Sequence, residues 1–261
     1  MIEVKHVSKS FQDGVKVLED ISTVFETGKT NLIIGQSGSG KTVLMKSTVG
    51  IYNVDEGSII YDDKDGNGRD ITKMNNNQLK LMHREIGMLF QGSALFDSMT
   101  VLENVKFPLD MFSTMEEDEK EARARECIER VDLTRACNLF PSEISGGMQK
   151  RAAIARAIVL NPRFLFCDEP NSGLDPKTSL MIDRLIQEIT HEYGITTIIN
   201  THDMNSVLEI GENIVFINKG HKGWQGNKDE VYDTGCEALE NLIFASELYK
   251  KIKKAHFIEN K

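Results

Sequence analysis

The stretch Gly35-Gln36-Ser37-Gly38-Ser39-Gly40-Lys41-Thr42 matches G-x-x-x-x-G-K-[ST], and its reading governs the rest of the 261-residue chain. The apolar run at 30–34 suits a buried strand, and 43–50 can continue as a helix, the strand-loop-helix setting in which this pattern cradles phosphate. Glycines at 35, 38 and 40 let backbone N–H groups converge on phosphate oxygens, with Gln36, Ser37 and Ser39 completing the loop. Lys41 would neutralise β- and γ-phosphates, and Thr42 would offer its hydroxyl to Mg²⁺ at the helix N-terminus.

Composition narrows the partners. With 31 Lys plus Arg against 40 Asp plus Glu the net charge is -9, which argues against a nucleic-acid binder. Cys127, Cys137, Cys167 and Cys236 form no C-x-x-C pair and no zinc-finger spacing, so reduced thiols in a cytosolic protein are expected. No run approaches the roughly 18 apolar residues of a membrane span, and the opening MIEVKHVSKSF lacks the apolar core of a signal peptide. Any membrane role would come through a partner.

Short β-branched runs at 2–7 and 17–25, around the turn signal Gln12-Asp13-Gly14, predict antiparallel strands ahead of the phosphate loop. Phe11 between them could stack on an adenine ring or simply close over the sheet edge. Residues 57–61 read as a strand. The turn-rich segment 62–68 places Asp63, Asp65, Asn67 and Gly68 as in the opening of a calcium loop, but Met74 stands where the closing Glu would be, which favours a solvated hairpin. A helix is expected over 74–84 and a strand over 85–90, ending at Gln91.

From about 92 to 161 apolar residues fall at helical spacing, including the charged run MEEDEKEARARECIERV at 115–131, whose Ile128 and Val131 offer only part of a buried stripe. A helical subdomain is expected there. Strand and helix signals then alternate: strand 163–167, helix 177–193, strand 195–200, helix 204–209, strand 213–218, which implies a mainly parallel sheet. The end of the chain, 236–255, spaces Leu239, Leu242, Ile243, Leu248 and Ile252 as one apolar stripe followed by Lys250, Lys251, Lys253 and Lys254. That amphipathic helix could meet a partner subunit or an anionic membrane, or pack on its own domain.

Further chemistry lies in Phe164-Leu165-Phe166-Cys167-Asp168-Glu169, an apolar strand delivering two carboxylates at its C-terminal edge, where α/β sheets place ligands. Asp168 would hold Mg²⁺ through its water shell. Glu169, pointing the other way from an extended backbone, could orient and partly deprotonate the attacking water. Between these motifs lies Glu143-Ile144-Ser145-Gly146-Gly147-Met148-Gln149 at the mouth of an Ala- and Arg-rich helix, an arrangement of hydroxyl, flexible backbone and positive helix end that suits an anion.

In this order the set resembles the ATP-binding subunits of ABC transporters, whose signature is matched in its Ser-Gly-Gly core. The resemblance covers nearly the whole chain: Gln91 falls at the family's Q-loop glutamine, Ser172-Gly173-Leu174-Asp175 at its D-loop and Thr201-His202-Asp203 at its switch histidine. It implies ATP and Mg²⁺ as ligands and an α/β P-loop NTPase core over 1–235, with a mainly parallel sheet, an antiparallel β subdomain and the inserted helical subdomain. A C-terminal helical extension, 236–261, would follow.

The resemblance also implies site roles. Gln91 would sense Mg²⁺ and the attacking water, His202 would hydrogen-bond the γ-phosphate, and Glu169 and Lys41 would act in catalysis. Phe11 would stack on adenine. Such subunits dimerise head to tail, so the signature, Ser145, Gly146 and Gly147, would close over ATP held by a second copy of the chain, and Asp175, counted with the ATP-binding residues, would help organise that opposite site. The cycle would then move integral membrane permease subunits, with the ATPase peripheral on the cytoplasmic face of the inner membrane. Ile144 and Met148 depart from the usual Leu and Gln of the signature, and Phe11 from the usual Tyr.

The segment 87–105, with Gly92-Ser93-Ala94-Leu95-Phe96-Asp97-Ser98-Met99-Thr100 at its centre, is similar to the ATPases of bacterial Mce/Mla-type lipid transport systems. That would make phospholipid the cargo and add a periplasmic lipid-binding Mce-type subunit. An amino-acid or methionine importer is the alternative within the class, and a soluble ATPase of iron–sulfur assembly the alternative outside it. A regulator that binds ATP without turnover is disfavoured by Glu169 and His202 together.

Overall fold

The computed structural model describes residues 1–11, 14–62, 68–245, 249–251 and 253. In chain order the elements begin with β1 (Ile2–Ser10), β2 (Lys16–Phe25), β3 (Thr30–Ile34), α1 (Lys41–Val49), β4 (Glu56–Asp62), β5 (Gly68–Asp70), α2 (Asn76–His83) and β6 (Ile86–Leu89). They continue with α3 (Val101–Phe112), α4 (Glu117–Arg130), α5 (Gly146–Ile158), β7 (Phe164–Asp168), α6 (Pro176–Tyr193) and β8 (Thr196–Asn200). The last are α7 (Met204–Ile210), β9 (Asn213–Asn218), β10 (His221–Gly226) and α8 (Glu237–Ile243). This is the expected α/β class, divided into two compact units: 1–26 with 30–73 and 200–261, and 27–29 with 74–199.

In the first unit β2, β1, β4 and β5 form an antiparallel sheet in that order. The inward set includes Ile2, Val4, Ile59 and Tyr61, all at most 1 % exposed, as alternation on a half-buried sheet requires. Tyr61 satisfies its phenol by donating to the Thr48 carbonyl at 2.6 Å. Beside α1, β3 runs parallel to β9, pairing Leu32 with Ile214, and β10 returns antiparallel to β9. Every residue of β3 is buried, the continuous apolar run expected of a strand covered on both faces. Its one amide, Asn31, is satisfied by Asn213 Nδ2 at 2.7 Å and by the Glu26 amide at 2.7 Å.

Two strands of this unit, β5 and β10, have no counterpart in the sequence reading. β10, His-Lys-Gly-Trp-Gln-Gly, has no apolar alternation, and its extended form is set by pairing with β9. The stripe expected to run as one helix over 236–255 is interrupted: α8 ends at Ile243, and among the residues described beyond it 249–251 and 253 are helical again. Leu239 and Ile243 are buried, and Phe244 leaves the helix to meet the Tyr232 ring at 5.9 Å between centroids. Gln12, Asp13, Asp63, Asp65, Asn67, Leu248, Ile252 and Lys254, on which turn, calcium-loop and stripe readings fell, lie outside the described residues.

The second unit holds β8, β7 and β6 in that order, with β6 parallel to β7 and Met88 opposite Phe166. Phe164, Leu165, Phe166 and Cys167 are each at most 1 % exposed, and burying one such aromatic contributes roughly 1.5–3 kcal/mol. Helices α3, α4 and α5 pack on one another. α3 starts at a capping box in which Thr100 accepts from the Glu103 amide and Glu103 from the Thr100 amide. The charged α4 buries Ala124, Cys127 and Ile128, and most of its other residues are exposed, as its composition implies. Arg123 on α4 donates to the carbonyls of Ile158 and Val159, closing the C-terminal end of α5. α6 begins with Asp175 as N-cap and Pro176 at its first position and stops at the left-handed Gly194.

Candidate nucleotide site

The phosphate loop of the first unit leaves β3 at Gly35, whose φ of 153° and close approach to the Ile217 carbonyl leave no space for a side chain. Gly38 and Gly40 also have positive φ, and the chain enters α1 directly at Lys41. Lys41 is 8 % exposed and donates Nζ to the carbonyls of Gly35 at 2.9 Å and Gln36 at 3.0 Å, so its ammonium is folded over the loop. Ser39 is 6 % exposed, and its Oγ has no hydrogen-bond partner among the described residues. A buried orphan hydroxyl in the phosphate loop fits a ligand that supplies acceptors, as phosphate oxygens do.

Thr42 Oγ1 accepts from Asn200 Nδ2 at 3.1 Å, which fixes the hydroxyl beside the loop. Asn200, the last residue of β8, was missed as a site residue; its only signal was a polar residue ending an apolar strand. His202 is exposed just past it, and the turn is shaped by Asp203 donating its amide to Thr201 Oγ1 and capping α7. Phe11 is 42 % exposed and meets Tyr52 edge-on at 5.4 Å between centroids, with Lys9 Nζ 5.5 Å from its ring centre.

The second unit carries the carboxylates and the Ser-Gly-Gly helix. β7 delivers Asp168 and Glu169, both half-buried, to its C-terminal edge. Glu169 is not extended as expected: its φ is 50°, the left-handed region, and its carbonyl accepts from the Ser172 amide at 3.2 Å. The tight turn to 172 overrides strand continuation at this residue. Gln91, exposed after β6, donates Nε2 to Ser172 Oγ at 3.3 Å, so the Q-loop and D-loop positions touch.

Ser145 is the N-cap of α5, its Oγ accepting from the Met148 amide at 3.3 Å, and Ser145 and Gly146 face solvent. The amides of the first turn of a helix have no intrahelical acceptor, and the helix dipole makes that end attractive to an anion. Gly147 admits no larger residue without movement, because a Cβ there would lie 2.7 Å from Thr178 Cγ2. Asp175 binds its own helix, accepting from the amides of Lys177 and Thr178 and from Thr178 Oγ1. These bonds, Thr178's hydroxyl first, hold its carboxyl below the usual range.

The Thr42 hydroxyl, fixed beside the phosphate loop, is a hard oxygen donor of the kind Mg²⁺ takes together with phosphate oxygens and water. The residues present therefore fit a nucleoside triphosphate and its cation. With both bound, Thr42 would help hold the cation, whose charge would offset that of the phosphates, and Lys41 and the loop amides would hold the β- and γ-phosphates.

These features define a P-loop nucleotide-binding cassette. The ABC transporter family profile matches residues 18–172. The methionine import ATP-binding protein MetN of Clostridium tetani is 40 % identical over 250 residues, 95 % of this chain and 76 % of that protein. MetN of Clostridium acetobutylicum is 36 % identical over 247 residues, 95 % of this chain and 75 % of that protein. The probable ribonucleotide transport ATP-binding protein mkl of Mycobacterium leprae is 37 % identical over 220 residues, 84 % of this chain and 62 % of that protein. Among solved structures, the dimeric bacterial ABC transporter cassette MJ0796 superposes with a TM-score of 0.77 at 31 % identity, covering 87 % of this chain and 99 % of that one. A dimeric post-hydrolysis state of MJ0796 bound to ADP and Pi superposes with the same TM-score at 30 % identity and equal coverage.

The chain belongs to the ABC transporter ATP-binding family and is an ATPase. The names of these three relatives carry methionine and ribonucleotide transport, not the lipid cargo expected from the segment after Gln91. No helix among the described residues is long and apolar enough to cross a membrane.

Proposed function

We propose that the chain is the ATP-hydrolysing subunit of a membrane transporter, that two copies sandwich ATP, and that the complex imports a small polar solute of the amino-acid class, methionine foremost. The observation that carries the sandwich is the solvent-facing N-terminus of α5, capped by Ser145 and opened by Gly146 and Gly147. It is an anion site presented outward, suited to a γ-phosphate held on a second copy's Lys41. Glu169 acts on the attacking water, His202 and Gln91 on the γ-phosphate and its water, Thr42 and Asp168 on Mg²⁺, and Phe11 on the base. The 1–235 ATPase domain, its helical insertion at about 92–161 and the 236–261 extension remain part of this reading. The methionine assignment rests on likeness to the MetN proteins over 95 % of the chain.

Membrane subunits dock in a groove of about 880 Å³ on the second unit, lined by Phe90, Phe96, Phe112 and Leu160 and by Arg84 and Arg156. Its charged lining is wholly basic, Lys80, His83, Arg84 and Arg156, on a chain of net charge -9. The complementary occupant is an apolar helical segment of a permease subunit carrying an acidic side chain. A second reading, phospholipid as cargo, is favoured by the segment 92–100, which supplies Ala94 and Phe96 to that groove and carries the lipid-transporter likeness. Purification in mild detergent, with mass spectrometry of the copurifying proteins and small molecules, separates the two. A permease whose ATPase responds to methionine supports the first, copurified phospholipid with no response moves the cargo to the second, and a scaffold complex without any membrane protein overturns the transporter reading. In the same preparation Glu169→Gln is expected to keep ATP binding, accumulate an ATP-bound dimer and nearly abolish turnover; undiminished turnover would remove Glu169's role.

A further inference from the structure

The buried cation of α5 has no place in the roles above. Lys150 is 4 % exposed, five residues beyond the Ser145 cap on the same helix, and among the described residues it has no carboxylate within ion-pair distance. Its Nζ donates to the main-chain carbonyl of Gln91. A methionine or leucine would pack at this point without the desolvation that burying an ammonium costs, so packing alone does not account for the charge. Burial pushes its pKa down, while Cys167 and, to a smaller degree, Glu169 pull it back up.

The contacts form a continuous chain inside the second unit. Lys150 holds the Gln91 carbonyl, Gln91 Nε2 holds Ser172 Oγ, and the Ser172 amide holds the Glu169 carbonyl. Each link joins a different segment: α5, the turn after β6, the D-loop and the end of β7. We propose that Lys150 is a positioning residue, tying the main chain of Gln91 to the helix that Ser145 caps, so that the outward anion site and the Gln91–Glu169 pair move as one body.

This rests on the roles given above to Gln91, Glu169 and Ser145. It makes Lys150 a route by which a phosphate captured at one end of α5 changes where Gln91 stands, without Lys150 touching nucleotide. The chemical consequence falls on turnover and not on binding, because the P-loop contacts are left intact.

Steady-state hydrolysis and mant-ATP titration on the full chain test it. Lys150→Met keeps length and removes the donor, and it is expected to lower kcat by about 10- to 100-fold, as a misplaced catalytic group does, with KM and mant-ATP affinity within about twofold. Lys150→Arg, which keeps a buried cationic donor, is expected to restore most of kcat. Ser172→Ala breaks a different link and is expected to show the same split to a smaller degree, its effect less than additive with that of Lys150→Met. Unchanged kcat in Lys150→Met, equal losses in the Met and Arg variants, or a loss expressed in KM overturns the proposal. If Lys150→Met does not fold, Ser172→Ala decides: a loss in kcat alone supports the chain of contacts, and unchanged kcat or a raised KM overturns it. Loss of turnover in Glu169→Gln alongside unaffected Lys150 and Ser172 variants removes this proposal alone, whereas an active Glu169→Gln removes the functional reading beneath it.

Discussion

Asn104→Ala tests whether the segment between Gln91 and α3 is held by one buried amide. Asn104 is fully buried in the second turn of α3, and its side chain faces back onto the incoming loop. Oδ1 accepts from the Phe96 amide at 2.8 Å, and Nδ2 reaches the carbonyls of Phe96, Met99 and Thr100 at 3.0–3.1 Å. Nδ2 has two hydrogens for its three acceptors, so with the Oδ1 bond three bonds count in full, and about 0.5–1.5 kcal/mol for each gives roughly 1.5–4.5 kcal/mol. Phe96 is 42 % exposed, so water can reach part of what the substitution frees, and the lower half of that range applies. The expected loss is about 2 kcal/mol, or a fall of roughly 4–8 °C in Tm at 2–4 °C per kcal/mol. Urea melts followed by far-UV circular dichroism would measure it. Because the loop adjoins Gln91 and the groove, hydrolysis should fall in the same variant below its melting range. A loss under about 1 kcal/mol would be the worth of a single bond and would refute the claim that this amide sets the loop's shape.

Two other perturbations separate structural from functional claims. Burial pushes the Cys127 thiol from its ordinary value of 9.0 up to about 11, so the folded state keeps a proton the unfolded chain has already lost. The stability this represents is full below pH 9 and disappears as pH rises towards 11, a loss of about 2 kcal/mol that Cys127→Ala should remove from the pH dependence of the urea midpoint; an identical dependence in both proteins would contradict it. Ser145→Arg places a long cation on the exposed cap of α5 and is expected to block ATP-driven dimerisation in the Glu169→Gln background. Normal dimers on sizing chromatography would count against a site completed by a second copy.

What could be read from the sequence is what local chemistry determines. Gly35 needs a backbone that only glycine adopts beside Ile217, and Ser145, Asp175 and Thr100 cap helices through their own side chains, so the phosphate loop and the starts of α3, α5 and α6 are written in a few adjacent residues. β10 could not be read this way, since its extended form comes from β9, more than one chain segment's worth of information. The left-handed turn at Glu169 carries no glycine to announce it. Lys150, Asn104 and Arg156 look like solvent-facing polar residues until the helices that cover them, wholly or in part, are placed. The usable signal was a lysine within the small-residue run Lys150-Arg151-Ala152-Ala153-Ile154-Ala155, where a buried helix face is expected and an ammonium is not.

These hidden polar residues share a location. Ser93 and Ala94, the second and third residues after Gln91, have φ of 62° and 50°, and a non-glycine residue held there costs on the order of 1–2 kcal/mol. Arg156 of α5 donates to both of their carbonyls at 2.8 Å, and burial lowers its pKa without bringing a carboxylate to it. Lys150 of the same helix holds Gln91. One helix thus uses a buried cation, Lys150, and a half-buried one, Arg156, to keep a strained segment in place, with the Ser145 cap at its N-terminus and Arg156 lining the groove. A strained loop fixed at two points by a rigid helix has few intermediate positions, so displacement of α5 at either the phosphate end or the groove must be felt at Gln91. Under the proposed docking, coupling between nucleotide and membrane partner would need no chain of small adjustments: it would run through α5, with Lys150 and Arg156 as its two attachments.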